Sequence, residues 1–234
     1  MEKEFDQFSK NYEELLDESL KVTGFATSYF ATAKIKTLAN LFPDLQKRPI
    51  NFLDYGCGTG ILYDSIKQFF PQANYLGTDF SEAMIQQARD HHNGFNVFFE
   101  LAAEQWKQPG YDIIFASNVF HHIPAAEHPK VLQELRGLLT PGGKIIVWEH
   151  NPLNPFTWKI VKDCIFDKDA VLISPGKMKQ KFRNAGLANL QVTFTTFFPQ
   201  SLKFLVPLEP CLGWCPLGAQ YILVGEDSEG SLKT

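Results

Sequence analysis

The period of the hydrophobic positions changes along this chain, and the changes mark its elements. Over residues 5–21, Phe5, Phe8, Tyr12, Leu15, Leu16 and Leu20 recur at helical spacing. A second helical run, about 27–42, turns Tyr29, Phe30, Ile35, Leu38 and Leu41 to one side before Pro43 stops it. From Asn51 onward short apolar runs alternate with amphipathic ones. Strands are predicted at 51–55, 74–79, 96–101, 111–117 and 143–149, with helices at 61–70, 81–91 and 125–139 between them. Such alternation specifies an α/β fold, a parallel sheet with helices on both faces. Thr140-Pro141-Gly142-Gly143 is a turn signal between the third of those helices and the fifth strand. Ser174 and Pro175 open a further helix to about residue 184, as N-cap and first helical residue. Strands at 189–198 and 218–225 bring the sheet to seven. Two extra helices precede it, no internal repeat is present, and the polar tail 226–234 reads as frayed.

Length and composition narrow the class. A chain of 234 residues, 44% hydrophobic and 21% charged, suits one globular domain. Within it, residues 1–45 read as a helical cap, 50–150 as a binding core, and 151–225 as substrate-side elements with the last strands. A net charge of −4 and a pI near 5.9 leave no electrostatic footprint for nucleic acid. Cys57, Cys164, Cys211 and Cys215 lack the paired spacing of a zinc site, so no metal is expected and the thiols read as reduced. The polar, acidic first residues are no secretory signal, and no apolar run approaches the ~20 residues that span a bilayer. These features predict a cytoplasmic protein.

The chemistry concentrates where the first predicted strand ends, in Asp54-Tyr55-Gly56-Cys57-Gly58-Thr59-Gly60. Glycines at alternate positions allow positive φ and let a ligand lie against bare backbone. The following helix start adds unpaired N–H groups and a partial positive charge. Open α/β sheets place their sites at this edge. The spacing is not the G-x-G-x-x-G of dinucleotide binders, since residue 61 is isoleucine. About 20 residues on, the second strand ends in Asp79, a carboxylate able to accept both hydroxyls of a ribose diol. Cys57 needs only to be small.

This combination closely resembles motif I and the acidic second strand of the class I S-adenosylmethionine (SAM)-dependent methyltransferases, of the small-molecule type. The run Asp79-Phe80-Ser81-Glu82-Ala83-Met84 and the sequence Leu138-Leu139-Thr140-Pro141-Gly142-Gly143 continue the likeness. It covers about residues 50–150. It implies a Rossmann-like sheet whose final strand is antiparallel and inserted beside the fifth. It implies SAM as cofactor, held by Asp54, Gly56, Cys57, Gly58, Gly60 and Asp79, with Phe80 and Met84 flanking ribose and adenine. Ala103 and Glu104 would meet the adenine, and Asn118 the methionine moiety or the transfer axis. The N-terminal helices would lie across the cofactor pocket, bringing Tyr12 and Tyr29 to SAM or substrate.

Topology gathers three connections on the same rim. Residues 152–173 and the apolar, proline-punctuated stretch 199–217, with the N-terminal helices, are expected to roof an apolar acceptor pocket. A small-molecule or lipid-like acceptor follows, methylated at oxygen or else at carbon or nitrogen, and a lipid-like one would bring peripheral contact with a membrane edge. For a hydroxyl acceptor a base at a strand end, His121, His122, His150 or Glu149, would add about 10²–10⁴-fold, though paired histidines are common in the family at this point. Tyr12 or Phe80 would offer a ring to the sulfonium. After the fourth strand Asn118-Val119-Phe120-His121 stands in place of an Asn-Pro-Pro-Tyr-type motif, so nothing ties the chain to protein, DNA or RNA methylation. Two other readings remain open: a nicotinamide-dependent oxidoreductase, and a non-catalytic SAM-binding protein.

Overall fold

Successive side chains of a strand face opposite ways, and in residues Ile50–Tyr55 both faces are buried: Phe52 enters one apolar layer and Leu53 the other. Burial on both faces marks a parallel sheet between helices. The computed structural model, which describes residues 15, 17, 18, 23–92, 97–164, 167 and 170–227, has that arrangement. Its strands are β1 (Ile50–Tyr55), β2 (Ala73–Asp79), β3 (Phe98–Glu100), β4 (Tyr111–Ser117), β5 (Leu139–His150), β6 (Leu187–Thr195) and β7 (Gln220–Asp227). They lie in the order β3-β2-β1-β4-β5-β7-β6. β1 to β5 run parallel, and β7 is antiparallel to both its neighbours. The expected α/β sheet, with its last strand inserted beside the fifth, is the one that forms.

The helices are α1 (Thr27–Leu41), α2 (Tyr63–Phe69), α3 (Glu82–His91), α4 (His128–Gly137), α5 (Pro155–Asp163) and α6 (Pro175–Asn184). Ile35 and Leu38 of α1, Ile66 of α2 and Ile85 of α3 fill one layer with Phe52, Phe115 and Ile146. Leu132 and Leu135 of α4 and Met178 and Phe182 of α6 fill the other with Leu53, Ile114 and Ile145. Ser174 caps α6 as expected, its Oγ accepting from the Lys177 N–H at 3.4 Å. Of the helix expected over 5–21 only Leu15, Asp17 and Glu18 are described, so Tyr12 lies outside the described residues, as does the tail from 228. Asp17 Oδ1 accepts from the Thr27 N–H at 2.7 Å. That contact sets a carboxylate at the positive end of α1.

Several boundaries shift by a few residues, and two of the shifts have a visible cause. β5 begins at Leu139, because Thr140–Gly143 is absorbed as an irregularity in the β4–β5 register between Tyr111 and Ile113. A Cβ on Gly143 would meet the Tyr111 carbonyl oxygen at 2.7 Å, so only glycine lets the two strands pass there. β6 stops at Thr195 instead of 198. Thr196 turns to φ +63, and the Glu209 carboxylate accepts from the N–H groups of Thr196, Phe197 and Phe198 at 3.1, 2.8 and 3.2 Å. Gln200–Leu212 then winds in 3₁₀ turns instead of forming an irregular loop, with Pro207 and Pro210 barring a regular α-helix.

Candidate active site

β1, β2, β4 and β5 end at one edge of the sheet, where a cavity of about 450 Å³ opens. Its floor at β1 is the glycine loop. Gly56, Gly58 and Gly60 all take positive φ, at +78°, +54° and +77°. A Cβ on Gly56 would strike Val119 at 2.4 Å and one on Gly60 the Phe98 ring at 2.9 Å, whereas one on Gly58 meets nothing within 4 Å. Gly58 is therefore where bare backbone faces the cavity, while the other two glycines let the loop pack. The Gly56 and Cys57 N–H groups donate to the Thr78 carbonyl at 2.7 and 3.0 Å, fastening loop to β2.

Asp79 closes that fastening. Its Oδ2 accepts from the Gly58 N–H at 2.9 Å and its Oδ1 from the Ser81 N–H at 3.0 Å. Burial raises its pKa, opposed by these backbone donors. Phe80 and Met84 line the cavity beside it, and Ser81 Oγ caps α3 by accepting from the Met84 N–H at 3.2 Å. Three buried oxygens in this quarter lack a hydrogen-bond partner: Asp54 Oδ1, Thr78 Oγ1 and Asn118 Oδ1. Thr78 and Asn118 line the cavity, and Asp54 lies just outside the lining, its other oxygen accepting from the Tyr75 hydroxyl at 3.0 Å. Burial, opposed by Tyr75, raises the Asp54 pKa to about 7. Asn118 itself sits at φ +58, an uncommon conformation for a non-glycine residue. Unsatisfied acceptors beside a glycine cradle suit an ammonium-bearing ligand, since buried polar atoms ordinarily find partners.

Other expected contacts fall elsewhere. Gly60 is buried and Ala103 packs into the second apolar layer, so neither borders the cavity. Glu104 points to solvent and pairs with Lys107 at 3.0 Å. Tyr29 stacks on Phe25 with ring centroids 3.9 Å apart and faces a smaller neighbouring cavity. The Cys57 thiol is pushed up by burial, which keeps it protonated. α1 does cross the cavity, through Thr27, Phe30, Ala31 and Lys34. Of the two expected roof segments, 152–173 supplies Thr157, Ile160, Cys164 and Asp167, whereas 199–217 supplies no lining residue. Its Glu209 is spent on ending β6, so that segment covers the smaller cavity with Val206 instead.

The far wall of the cavity is ionic. Glu149 is buried, accepting from the Phe120 N–H through Oε1 at 2.8 Å and pairing through Oε2 with His121 Nδ1 at 2.5 Å. His121 Nε2 lies 3.2 Å from Asp167 Oδ1, His122 Nε2 3.4 Å from the same oxygen, and His150 Nε2 3.8 Å from Asp167 Oδ2. Burial lowers the basicity of His121, but the carboxylates on its two nitrogens outweigh it and hold its pKa at about 10. Burial and then the charge of His121 push His150 down to about 4, leaving it a neutral imidazole. Burial opposes the ionisation of Asp167, yet hydrogen bonds from His121 and His122 hold it well below the carboxylate range. Lys34 reaches in from α1, its Nζ donating to Ser117 Oγ at 2.8 Å, with its pKa lowered by burial to about 8.

The structure thus brings His121, His122, His150 and Glu149 together, as their places at the ends of β4 and β5 imply. Asp167 and Lys34 escape the sequence reading. Lys34 carries a weak signal, one residue before Ile35 on the buried stripe. Asp167 carries none that separates it from Asp163 and Asp169 nearby.

Cradle, carboxylate and strand order define a nucleoside-binding sheet of the methyltransferase kind. Residues 53–145 match the model of the family described as a methyltransferase domain. Among relatives, the trans-aconitate 2-methyltransferase of Rhodopseudomonas palustris (strain BisA53) is 33% identical over 121 residues, 51% of this chain and 46% of that protein. The malonyl-[acyl-carrier protein] O-methyltransferase of Bacillus anthracis is 28% identical over 130 residues, covering 47% and 48%. The matched region thus spans about half the length of these relatives. A Thermotoga maritima structure, described as a SAM-dependent methyltransferase and possible histamine N-methyltransferase, superposes with a TM-score of 0.68 at 19% identity, covering 97% of this chain and 100% of that one. Residues 53–145 are thus similar to a methyltransferase domain, the fold is that of SAM-dependent methyltransferases, and SAM is the cofactor the cradle fits.

Proposed function

We infer that this chain transfers the methyl group of SAM to an oxygen of a small-molecule or lipid-like acceptor. The observation that carries the reading is one cavity with two unlike ends: glycine cradle and Asp79 at β1–β2, histidines and Asp167 at β4–β5, apolar walls of Phe30, Leu62, Val131 and Ile160 between. When bound, SAM supplies a methyl on a positively charged sulfur, open to in-line attack. The chain's part is to align and to exclude water, and alignment is worth on the order of 7–11 kcal/mol. Asp79 and the Gly58 backbone grip the sugar end, and Asn118 and Thr78 receive the ammonium, with Asp54 behind them.

Of the four expected bases, Glu149 and His121 are taken up by each other. His122, oriented through Nε2 by Asp167, is our candidate for accepting the proton of a hydroxyl acceptor. The name of the Bacillus anthracis relative, an O-methyltransferase, supports oxygen as the methylated atom. Loop spacing and family match weigh against a nicotinamide enzyme.

One helix favours the lipid-like acceptor. Thr157 and Ile160 of α5 enter the cavity, while Phe156 and Trp158 on its other side are 75% and 54% exposed beside Lys159 and Lys162. Exposed aromatics with lysines suit the interface of an anionic membrane. Among the described residues no helix is long and apolar enough to cross a bilayer, so contact would be peripheral, and a cytoplasmic protein would make it from the inner face. Calorimetric titration with SAM, followed by labelled methyl transfer into aqueous and lipid fractions of a cell extract, tests the reading. No heat with SAM would reject it, and binding without transfer to either fraction would leave the non-catalytic alternative.

A further inference from the structure

We propose that His121 Nε2, His150 Nε2 and the Asp167 carboxylate form a binding site for one divalent transition-metal ion, zinc being the best match, at the acceptor end of the cavity. The donor atoms of these three residues all lie within 4.8 Å of one another. His121 and His150 stand 3.2 and 3.8 Å from the two oxygens of Asp167. A tetrahedral ion with bonds of about 2.0–2.1 Å sets neighbouring donors about 3.3–3.4 Å apart, so the His121–Asp167 pair is already near that length, and the His150–Asp167 pair, measured to the other carboxylate oxygen, is somewhat wider.

The surroundings of His121 point the same way. Its Nδ1 faces Glu149, and Glu149 is fixed in turn by the Phe120 N–H. This carboxylate–imidazole arrangement holds a liganding histidine in one tautomer and turns its other nitrogen to the ion. His121 and Glu149 are both almost wholly buried. Two carboxylates thus share one confined wall with three imidazoles, His122 and His150 having ring centroids 4.1 and 5.4 Å from that of His121. A dication between Asp167 and the two ligating nitrogens balances the charge of Glu149 and Asp167 without a proton on His121. Two imidazoles and one carboxylate are a borderline donor set, which selects zinc-like ions over magnesium.

Three protein ligands leave a coordination position toward the cavity, as in catalytic sites. Resting on the methyltransferase reading, that position selects acceptors presenting an oxygen donor, a hydroxyl, phenol or carboxylate, and sets the oxygen beside His122. Binding of the ion itself is independent of that reading.

The full chain, stripped with a chelator, is titrated with Zn²⁺ by calorimetry and with Co²⁺ by visible absorption, without SAM. One ion per chain is expected, with the intense Co²⁺ bands of a four-coordinate site. Asp167→Asn and His150→Gln should each weaken Zn²⁺ at least about 100-fold, and Glu149→Gln about 10–100-fold as an outer-shell partner. Cys211→Ser with Cys215→Ser, removing the two more exposed thiols, should leave the affinity unchanged. SAM titrations and melting curves on each variant report folding separately. No stoichiometric Zn²⁺ binding, loss of binding only in the cysteine variant, or less than a threefold effect of Asp167→Asn and His150→Gln in folded protein would overturn the site. A failure to bind SAM would reject the cofactor reading and leave the metal result standing.

Discussion

The Gly58 N–H donates to Asp79 Oδ2 at 2.9 Å, so the cradle after β1 and the carboxylate ending β2 are one mechanical unit. Asp79→Ala therefore removes the carboxylate proposed to receive the ribose and also frees the loop. A hydrogen bond to a charged group is worth about 1.5–3 kcal/mol. With no carboxylate to receive the sugar hydroxyls, the dissociation constant for SAM should rise about 100-fold or more. Titration calorimetry reads it. An affinity within threefold of wild type would refute the assignment.

The three glycines should separate by phenotype. Gly56→Ala drives a methyl into Val119 and should lower the melting temperature sharply. Gly58→Ala meets no neighbour, so the fold should survive with only the cost of its positive φ, about 1 kcal/mol. The added methyl would stand where the cofactor is proposed to lie against the backbone, and SAM binding should fall while the melting curve barely moves.

Lys34 supplies a pH signature. Burial lowers its pKa from 10.5 to about 8. Below pH 8 the ammonium is present in folded and unfolded chain alike, and the folded state bears the whole cost of burying it. Between pH 8 and 10.5 only the unfolded chain keeps the proton, so this destabilisation fades as pH rises. Lys34→Met should thus stabilise the protein at pH 7 by a few kcal/mol, on the order of the linkage for such a shift, and by much less near pH 10.5. Urea midpoints at the two pH values measure it, and equal gains would contradict the burial argument.

If α5 meets a membrane, Phe156→Ser with Trp158→Ser should cut sedimentation with phosphatidylserine vesicles about tenfold or more, since each buried side chain contributes on the order of 1.5–3 kcal/mol. Thr157 and Ile160 face inward, so SAM affinity should stay the same. Equal vesicle binding by both proteins would dismiss the lipid edge.

How far the sequence could be read depends on the range of the interactions. β1, the glycine turn and Asp79 are legible because strand period, positive-φ glycines and a terminal carboxylate are local requirements. So is the meeting of His121 with Glu149, since β4 and β5 pair in parallel, with Ser117 opposite Trp148, and end on one edge. Asp167 is not legible: it reaches the histidines from a connection whose path is set by contacts of α5, such as the Thr157 hydroxyl on the Ala219 carbonyl. Lys34 reads as a polar interruption of an apolar stripe until Ser117 and the Trp148 ring are seen around it. The misplaced roof has the same origin. Apolar, proline-rich composition marks 199–217 as packed, but only Glu209 binding back onto residues 196–198 decides which cavity it covers.

β7 runs against its neighbours, so its first residue, Gln220, and not its last lies opposite His150 and at the cavity wall. Translation runs from N- to C-terminus, and the cradle at Gly58 leaves the ribosome more than a hundred residues before that wall does. A growing chain therefore carries the glycine turn and Asp79 well before β7 brings Gln220 to the histidine end of the cavity.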